Sequence, residues 1–404
     1  MGRPAATLAL LTMLALPAGA LSCTDEGEVT GPALAGTGQG KGEAPPGKDR
    51  QGVLRKLERP KQFLIGHGND LPGAEKNYDF TQAGIYTLPA KLDIHYVYLT
   101  GLAGQGGWPD DNDGNFVSVI ANIDVAKGAT PMFTLYQMAS LGDGDLSGLT
   151  STDFMTKYWK GARRMFEQLG KLGKPAIAHI EPDFWGYAQQ RSKASNAATV
   201  KVLVKGLVAE CKDLPDDLSG FGRCIVRLGR ALAPKTLIGL HASSFGAPGN
   251  PVGVADFLRA CGGFDADIVV LETLDRDAGC FEAKVDPACK RDDGPYYWDE
   301  TNATSPSFKD HLAWARAIHE RTNLPLLWWQ TPLGVPSTNP GGSAKKYRDN
   351  RVKYFFEHTA EFAAAGGFGA AFGVGAPNQT DITSDGGQFA RAVTKYYGAP
   401  LLLE

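Results

Sequence analysis

Apolar side chains along this chain gather into eight short runs, most of which close in polar or aromatic residues. The runs occupy residues 63–66, 92–99, 130–136, 176–180, 236–240, 267–271, 324–329 and 369–372. One of them contains Ile268-Val269-Val270-Leu271, the uninterrupted apolar stretch expected of a parallel strand covered on both faces. Most gaps between runs are long enough for a helix. Over residues 154–172, Phe154, Tyr158, Ala162, Met165, Phe166 and Leu169 share one stripe, with Lys157, Lys160, Arg164 and Glu167 elsewhere. Gly173-Lys174-Pro175 then stops that helix and launches the next run. Residues 308–321 and 347–365 repeat the arrangement. Alternating strand and helix units predict an α/β fold, a (β/α)8 barrel forming a single domain over residues 60–404, with long loops after strands two and six. An open doubly wound sheet would carry a glycine-rich phosphate loop after its first strand, and Gly66-His67-Gly68-Asn69-Asp70 does not match one.

The N-terminus departs from this pattern. Arg3 precedes an apolar stretch, residues 5–16, too short for a permanent membrane helix, and small residues lead to Cys23. Residues 1–22 read as an export signal, and Cys23 is a candidate for lipidation because the signal ends as bacterial lipoprotein signals do. A plain secretory signal is the other reading. Residues 24–59 are rich in Gly, Pro, Glu and Lys and read as a flexible tether. Export permits disulfides, and the close spacings of Cys211 with Cys224 and Cys280 with Cys289 predict those two pairs, leaving Cys261 as a thiol. The absence of a Cys-x-x-Cys pair argues against zinc. A formal charge of −3 on 404 residues gives no reason to expect nucleic acid or an anionic membrane as partner. The expected membrane contact is through the lipid anchor alone, and the expected state is a monomer.

A parallel barrel carries its chemistry at the C-terminal ends of its strands. Strand four runs out into His179-Ile180-Glu181-Pro182-Asp183-Phe184-Trp185, and strand six ends in Glu272 ahead of Asp275 and Asp277. Side chains alternate along a strand, so His179, Glu181 and Asp183 are expected to point together into the mouth. Glycoside hydrolysis needs two carboxyl groups, one to protonate the leaving oxygen and one to act as nucleophile or as base for water. Glu181, Glu272, Asp275 and Asp183 are therefore the catalytic candidates, with Glu181 as general acid. His67, Asp70, His95, Trp108, Tyr136, Trp185, His241, Trp298, Trp328, Trp329 and Gln330 lie at or near strand ends and are expected to bind sugar. A plainer reading makes any one of these a packed core residue or a structural hydrogen-bonding group.

Other chemistries fit less well. His67-Gly68-Asn69 is not the His-x-His of metal-dependent barrels, so no metal and no cofactor are expected. Asp110-Asp111-Asn112-Asp113 lacks the glutamate of an EF-hand. Ala242-Ser243-Ser244-Phe245-Gly246 is not a nucleophile elbow.

Two partial resemblances follow from these motifs. Ile180-Glu181-Pro182 resembles the Asn-Glu-Pro strand end of the large clan of retaining barrel glycosidases, without its Asn. Gln330 stands where that clan has its nucleophilic Glu. Ile180-Glu181-Pro182-Asp183, with His241 and Gly246-Ala247-Pro248-Gly249-Asn250, is similar to pieces of an inverting cellulase family. That family's acid motif after strand three is here Leu135-Tyr136-Gln137-Met138. From 63 to 397 the chain looks like secreted bacterial barrel proteins of glycosidase type. The resemblance implies hydrolysis of a carbohydrate polymer. A glycan-binding barrel without catalysis and a metal-dependent hydrolase are the alternatives.

Overall fold

The computed structural model describes residues 48–404, apart from 73–77, 275, 288, 293, 338, 340 and 377. The predicted export signal, Cys23, most of the predicted tether and Asp275 lie outside the described residues. Eight strands form a closed barrel: β1 Leu64–Gly68, β2 Ile94–Thr100, β3 Thr130–Tyr136, β4 Ala176–Ile180, β5 Thr236–Ala242, β6 Ile268–Glu272, β7 Leu326–Thr331 and β8 Gly367–Gly373. Every strand pairs in parallel with its neighbours, and β8 closes on β1 with Leu64 opposite Gly369. The predicted (β/α)8 barrel is therefore the architecture observed.

Local signals explain where the helices begin and end. Ser151 caps the helix Thr152–Leu172, accepting from Phe154 N, and Gly173 ends it at φ 63°. Ser307 and Asp310 form a reciprocal capping box at the start of Phe308–Thr322. Two boundaries differ from expectation. The helix predicted over 347–365 is two helices, Arg351–Glu357 and Thr359–Ala364, while Tyr347 belongs to a short hairpin strand instead. The predicted tether also ends early. Asp49 caps a helix, Arg50–Lys56, which buries Val53 and Leu54 in the core. Both predicted disulfides form, Cys211–Cys224 and Cys280–Cys289, and Cys261 is a buried thiol.

Strand alternation divides the side chains into two populations. Tyr96 and Tyr98 of β2, His179 of β4 and His241 of β5 all reach the ring of Trp329 on β7, at centroid distances of 6.0, 5.5, 4.8 and 5.6 Å. Residues from strands spaced around a closed barrel can meet only in its interior. Glycine makes room for them: a Cβ at Gly373 would land on the Tyr96 hydroxyl. Their sequence neighbours face outward. His95 meets Asp124 of the helix Phe116–Lys127, and Trp328 donates to His311 of Phe308–Thr322 at 2.8 Å.

Candidate active site

Asp183, His241 and Glu272 converge at the C-terminal end of the barrel. One ligating atom from each lies within 4.8 Å of the other two. Asp183 occupies the N-cap position of the helix Phe184–Arg191, yet its side chain makes no capping bond. An aspartate that caps ordinarily contributes about 1 kcal/mol to its helix. Here the carboxylate turns instead toward Tyr136, whose hydroxyl donates to it at 3.5 Å and also to Asp143. Glu272 ends β6, and Arg276, four residues on, donates Nη1 to it. Arg276 Nε also lies 3.7 Å from Asp277.

Burial pushes the Asp183 carboxyl above the usual carboxylate range. Arg276 opposes that shift, while the nearby Asp143 and Asp277 reinforce it. His241 is fully buried, and desolvation followed by the Arg276 charge lowers it to about 3, so the imidazole is neutral. Its Nδ1 lies 3.1 Å from His179 Nε2, and His179 Nδ1 lies 3.1 Å from Thr134 Oγ1. Beneath this row sits Trp329, only 1% exposed. Gln330 bridges the rim, donating to the Tyr98 hydroxyl at 2.6 Å and the Val374 carbonyl at 2.8 Å. Tyr187 of the helix Phe184–Arg191 and Phe245 of the segment after β5, both half-buried, pack with ring centroids 4.9 Å apart. The charges of Asp183, Asp143, Arg276 and Glu272 all act on Tyr187, which places that ring beside the mouth.

Backbone strain clusters here. Glu181, Asp183 and Gln330 hold φ values of 49°, 65° and 53° immediately beyond or within strand ends. Left-handed non-glycine residues cost about 1–3 kcal/mol each and persist where the surroundings over-determine them.

Of the sequence-predicted residues, the structure brings Asp183, Glu272, Tyr136, His241, Trp329 and Gln330 together. It places the others elsewhere. Glu181, the expected acid, is wholly buried behind the strand ends. Its two oxygens accept from Gln137 N at 3.1 Å and Met138 N at 3.0 Å, and the buried Tyr158 hydroxyl interacts with it. The positive φ ends the strand alternation one residue early and turns the carboxylate away from the lumen. Desolvation raises it to about 8 against the opposing pull of those hydrogen bonds. Glu181 thus clips the β3 loop to the end of β4. Glu181→Gln is accordingly expected to keep turnover per folded molecule within about threefold. It should destabilise the protein by about 1–3 kcal/mol, because one amide N–H would face a backbone donor. Denaturation midpoints with specific activity on the soluble fraction measure both, and a collapse of activity at full stability would refute the structural assignment.

His67, Asp70 and His95 form a buried charge cluster outside the barrel wall, where His67 packs on Phe389 of the last helix and His95 bridges Asp70 and Asp124. Trp108 lies in the core under the β2 loop. Trp185 packs on Phe221 behind β4 and donates to the Ile180 carbonyl. Trp298 stacks on His311, and Trp328 packs on Phe355 and Phe362, both outside the barrel. Further mouth residues, Tyr187 and Phe245 among them, lie outside the predicted set. Arg276 was legible as a cation four residues after Glu272, and Tyr98 as the alternate of His95. Asp143, in the loop after β3, carried no signal.

No protein-family model matches this chain, and no curated protein matches it. Solved structures do. A Cellulomonas fimi endo-beta-1,4-mannanase double mutant aligns at 12% identity and TM-score 0.48, over 88% of this chain and 75% of that one. A hyperthermophilic endo-beta-1,4-glucanase aligns at 9% and 0.47, over 84% and 99%. D-psicose 3-epimerase from Clostridium cellulolyticum H10 aligns at 10% and 0.44, over 84% and 100%. These barrels catalyse different reactions, and no residue role is carried from them.

Proposed function

We propose that this protein is a glycoside hydrolase acting on a carbohydrate polymer, with Asp183 as general acid and Glu272 as nucleophile. One observation carries the reading: the two carboxylates present oxygens within 4.8 Å of each other in unlike surroundings. Asp183 is favoured in its protonated form by burial, whereas Glu272 has the Arg276 guanidinium as counter-ion. Unlike environments of this kind divide acid and nucleophile roles between two carboxyl groups. With 4.8 Å as the upper limit between their nearest oxygens, the pair favours the closer arrangement of retaining enzymes, roughly 5–5.5 Å between carboxyl groups, over the about 6.5–9.5 Å of inverting ones.

In the first step a Glu272 oxygen bonds to the anomeric carbon. The glycosidic C–O bond breaks, and Asp183 gives its proton to the departing oxygen. In the second, the Asp183 carboxylate takes a proton from water, whose oxygen displaces Glu272 and restores both groups. One water is consumed per bond cleaved. Tyr187 and Phe245 supply ring faces for a sugar, while the buried Trp329 shapes the floor under the reacting carboxylates.

Screening purified protein against a panel of polysaccharides tests the proposal, with reducing ends as readout. Asp183→Asn is expected to lower turnover by about 10²–10⁴-fold. Aryl glycosides whose leaving group needs no proton should lose far less. Activity that requires protonated Asp183 falls as pH rises through its raised pKa, so the variant should also lose the alkaline limb of the pH profile. No product on any polysaccharide, or wild-type turnover in Asp183→Asn, would overturn the reading.

A second reading is a glycan-binding barrel without catalysis. Gln330 favours it, because an amide built into the β7 rim stands where a carboxylate would serve chemistry. Retention on a polysaccharide with no release of reducing sugar identifies that case.

A further inference from the structure

We propose that Asp183, His241 and Glu272 also form a binding site for a divalent transition-metal ion. The three donors come from the ends of three adjacent strands, β4, β5 and β6, and lie within 4.8 Å of one another. Bonds of about 2.1 Å would bring neighbouring donors to about 3 Å, a closure within reach of side-chain rotation. The imidazole makes this more than a group of acids. His241 is 0% exposed, its Nδ1 is engaged by His179, and its Nε2 has no hydrogen-bond partner. Nε2 is therefore the nitrogen left for the cluster. A buried orphan of this kind is costly unless something binds it.

The outer shell fits a ligand histidine. If His241 Nδ1–H donates to His179 Nε2, then His179 Nδ1–H donates to Thr134 Oγ1, and Nε2 carries a bare lone pair. Fixing the tautomer through the second nitrogen is how proteins orient metal-binding histidines. Arg276, hydrogen-bonded to Glu272, is likewise an outer-shell partner of a ligating carboxylate. Its single positive charge stands against Glu272 and Asp277, which leaves the mouth net negative. One imidazole with two carboxylates suits zinc or manganese rather than calcium or magnesium, which take all-oxygen sites.

Calorimetric titration of the purified full chain with zinc chloride, and separately manganese chloride, without sugar, tests the site. The expected result is one ion per chain and at least tenfold weaker binding in His241→Gln, whose fold is checked by circular dichroism. The surface pair His358–Glu361, at 2.8 Å, is the competing location, so His358→Ala is the control and should bind normally. Cobalt(II) spectra of the unsubstituted protein provide a readout if His241→Gln does not fold, with a saturable visible band expected. Absence of binding, absence of the band, or binding lost in His358→Ala and kept in His241→Gln overturns the proposal. Because no substrate is present, none of these results bears on whether the protein cleaves glycans.

Discussion

Glu272→Gln is expected to reduce glycan turnover by at least about 10³-fold while leaving the barrel folded and sugar affinity measurable. The amide keeps the side chain's shape but cannot form the ester to the anomeric carbon on which the two-step route depends. Arg276 retains Asp277 at 3.7 Å, so removing one carboxylate does not strand the guanidinium. Two further measurements separate nucleophile from base. Wild-type product followed by proton NMR should appear first as the anomer present in the substrate. In Glu272→Ala, added azide should restore turnover and give a glycosyl azide of the opposite anomer, because the small anion occupies the vacated side of the sugar. Inversion by the wild type would reassign Glu272 as a base. Undiminished turnover in Glu272→Gln would remove it from the chemistry.

The parts of this molecule readable from sequence are those governed by short-range periodicity. Eight apolar runs match eight strands because strands covered on both faces have few polar choices, and their boundaries moved only by a few residues. Alternation placed Asp183, Glu272 and His241 at one end of the barrel. It failed at Glu181, where a positive φ turns the carboxylate away from the lumen. No residue type announces that turn, since Glu-Pro reads the same whichever way the side chain leaves the strand. The tryptophans show a different limit. Trp328 and Trp329 must face opposite sides of a strand, but only the partners, His311 outside and His179 with His241 inside, decide which is which. His95 was misplaced although the information was present. With Tyr96 and Tyr98 on the same strand, one face had to point inward, and Asp124 lay on an otherwise apolar helix face with no stated partner.

That buried cluster yields the largest expected effect on stability. His95 is 1% exposed, with Nε2 2.9 Å from Asp70 and Nδ1 2.8 Å from Asp124. Tyr86 donates to Asp124, and Ile85 N donates to Asp70 at 2.7 Å. Burial alone would lower the imidazole, but the carboxylates of Asp124 and Asp70 outweigh it and raise the group from 6.5 to about 10. The charged ring therefore contributes stability fully below about pH 6.5, and that contribution is lost as pH rises through about 10. Asp70 runs the other way. Burial pushes it up, but the charges and hydrogen bonds of His95 and His67 hold it well below the carboxylate range. Its contribution is present above about pH 4 and disappears only in strong acid. His95→Asn would remove the cation held between two buried carboxylates, a change that costs about 3–5 kcal/mol in comparable buried pairs. Urea midpoints for both proteins between pH 4 and 10.5 test this. The wild type should lose stability from pH 6.5 upward. The variant should show its largest deficit near pH 6 and recover toward acid pH as Asp70, deprived of His95, takes up a proton. Specific activity of the folded variant should persist, since the cluster lies behind the barrel wall. Parallel midpoint profiles would mean that His95 is uncharged in the folded protein, and the cluster would then be an ordinary neutral hydrogen-bond network.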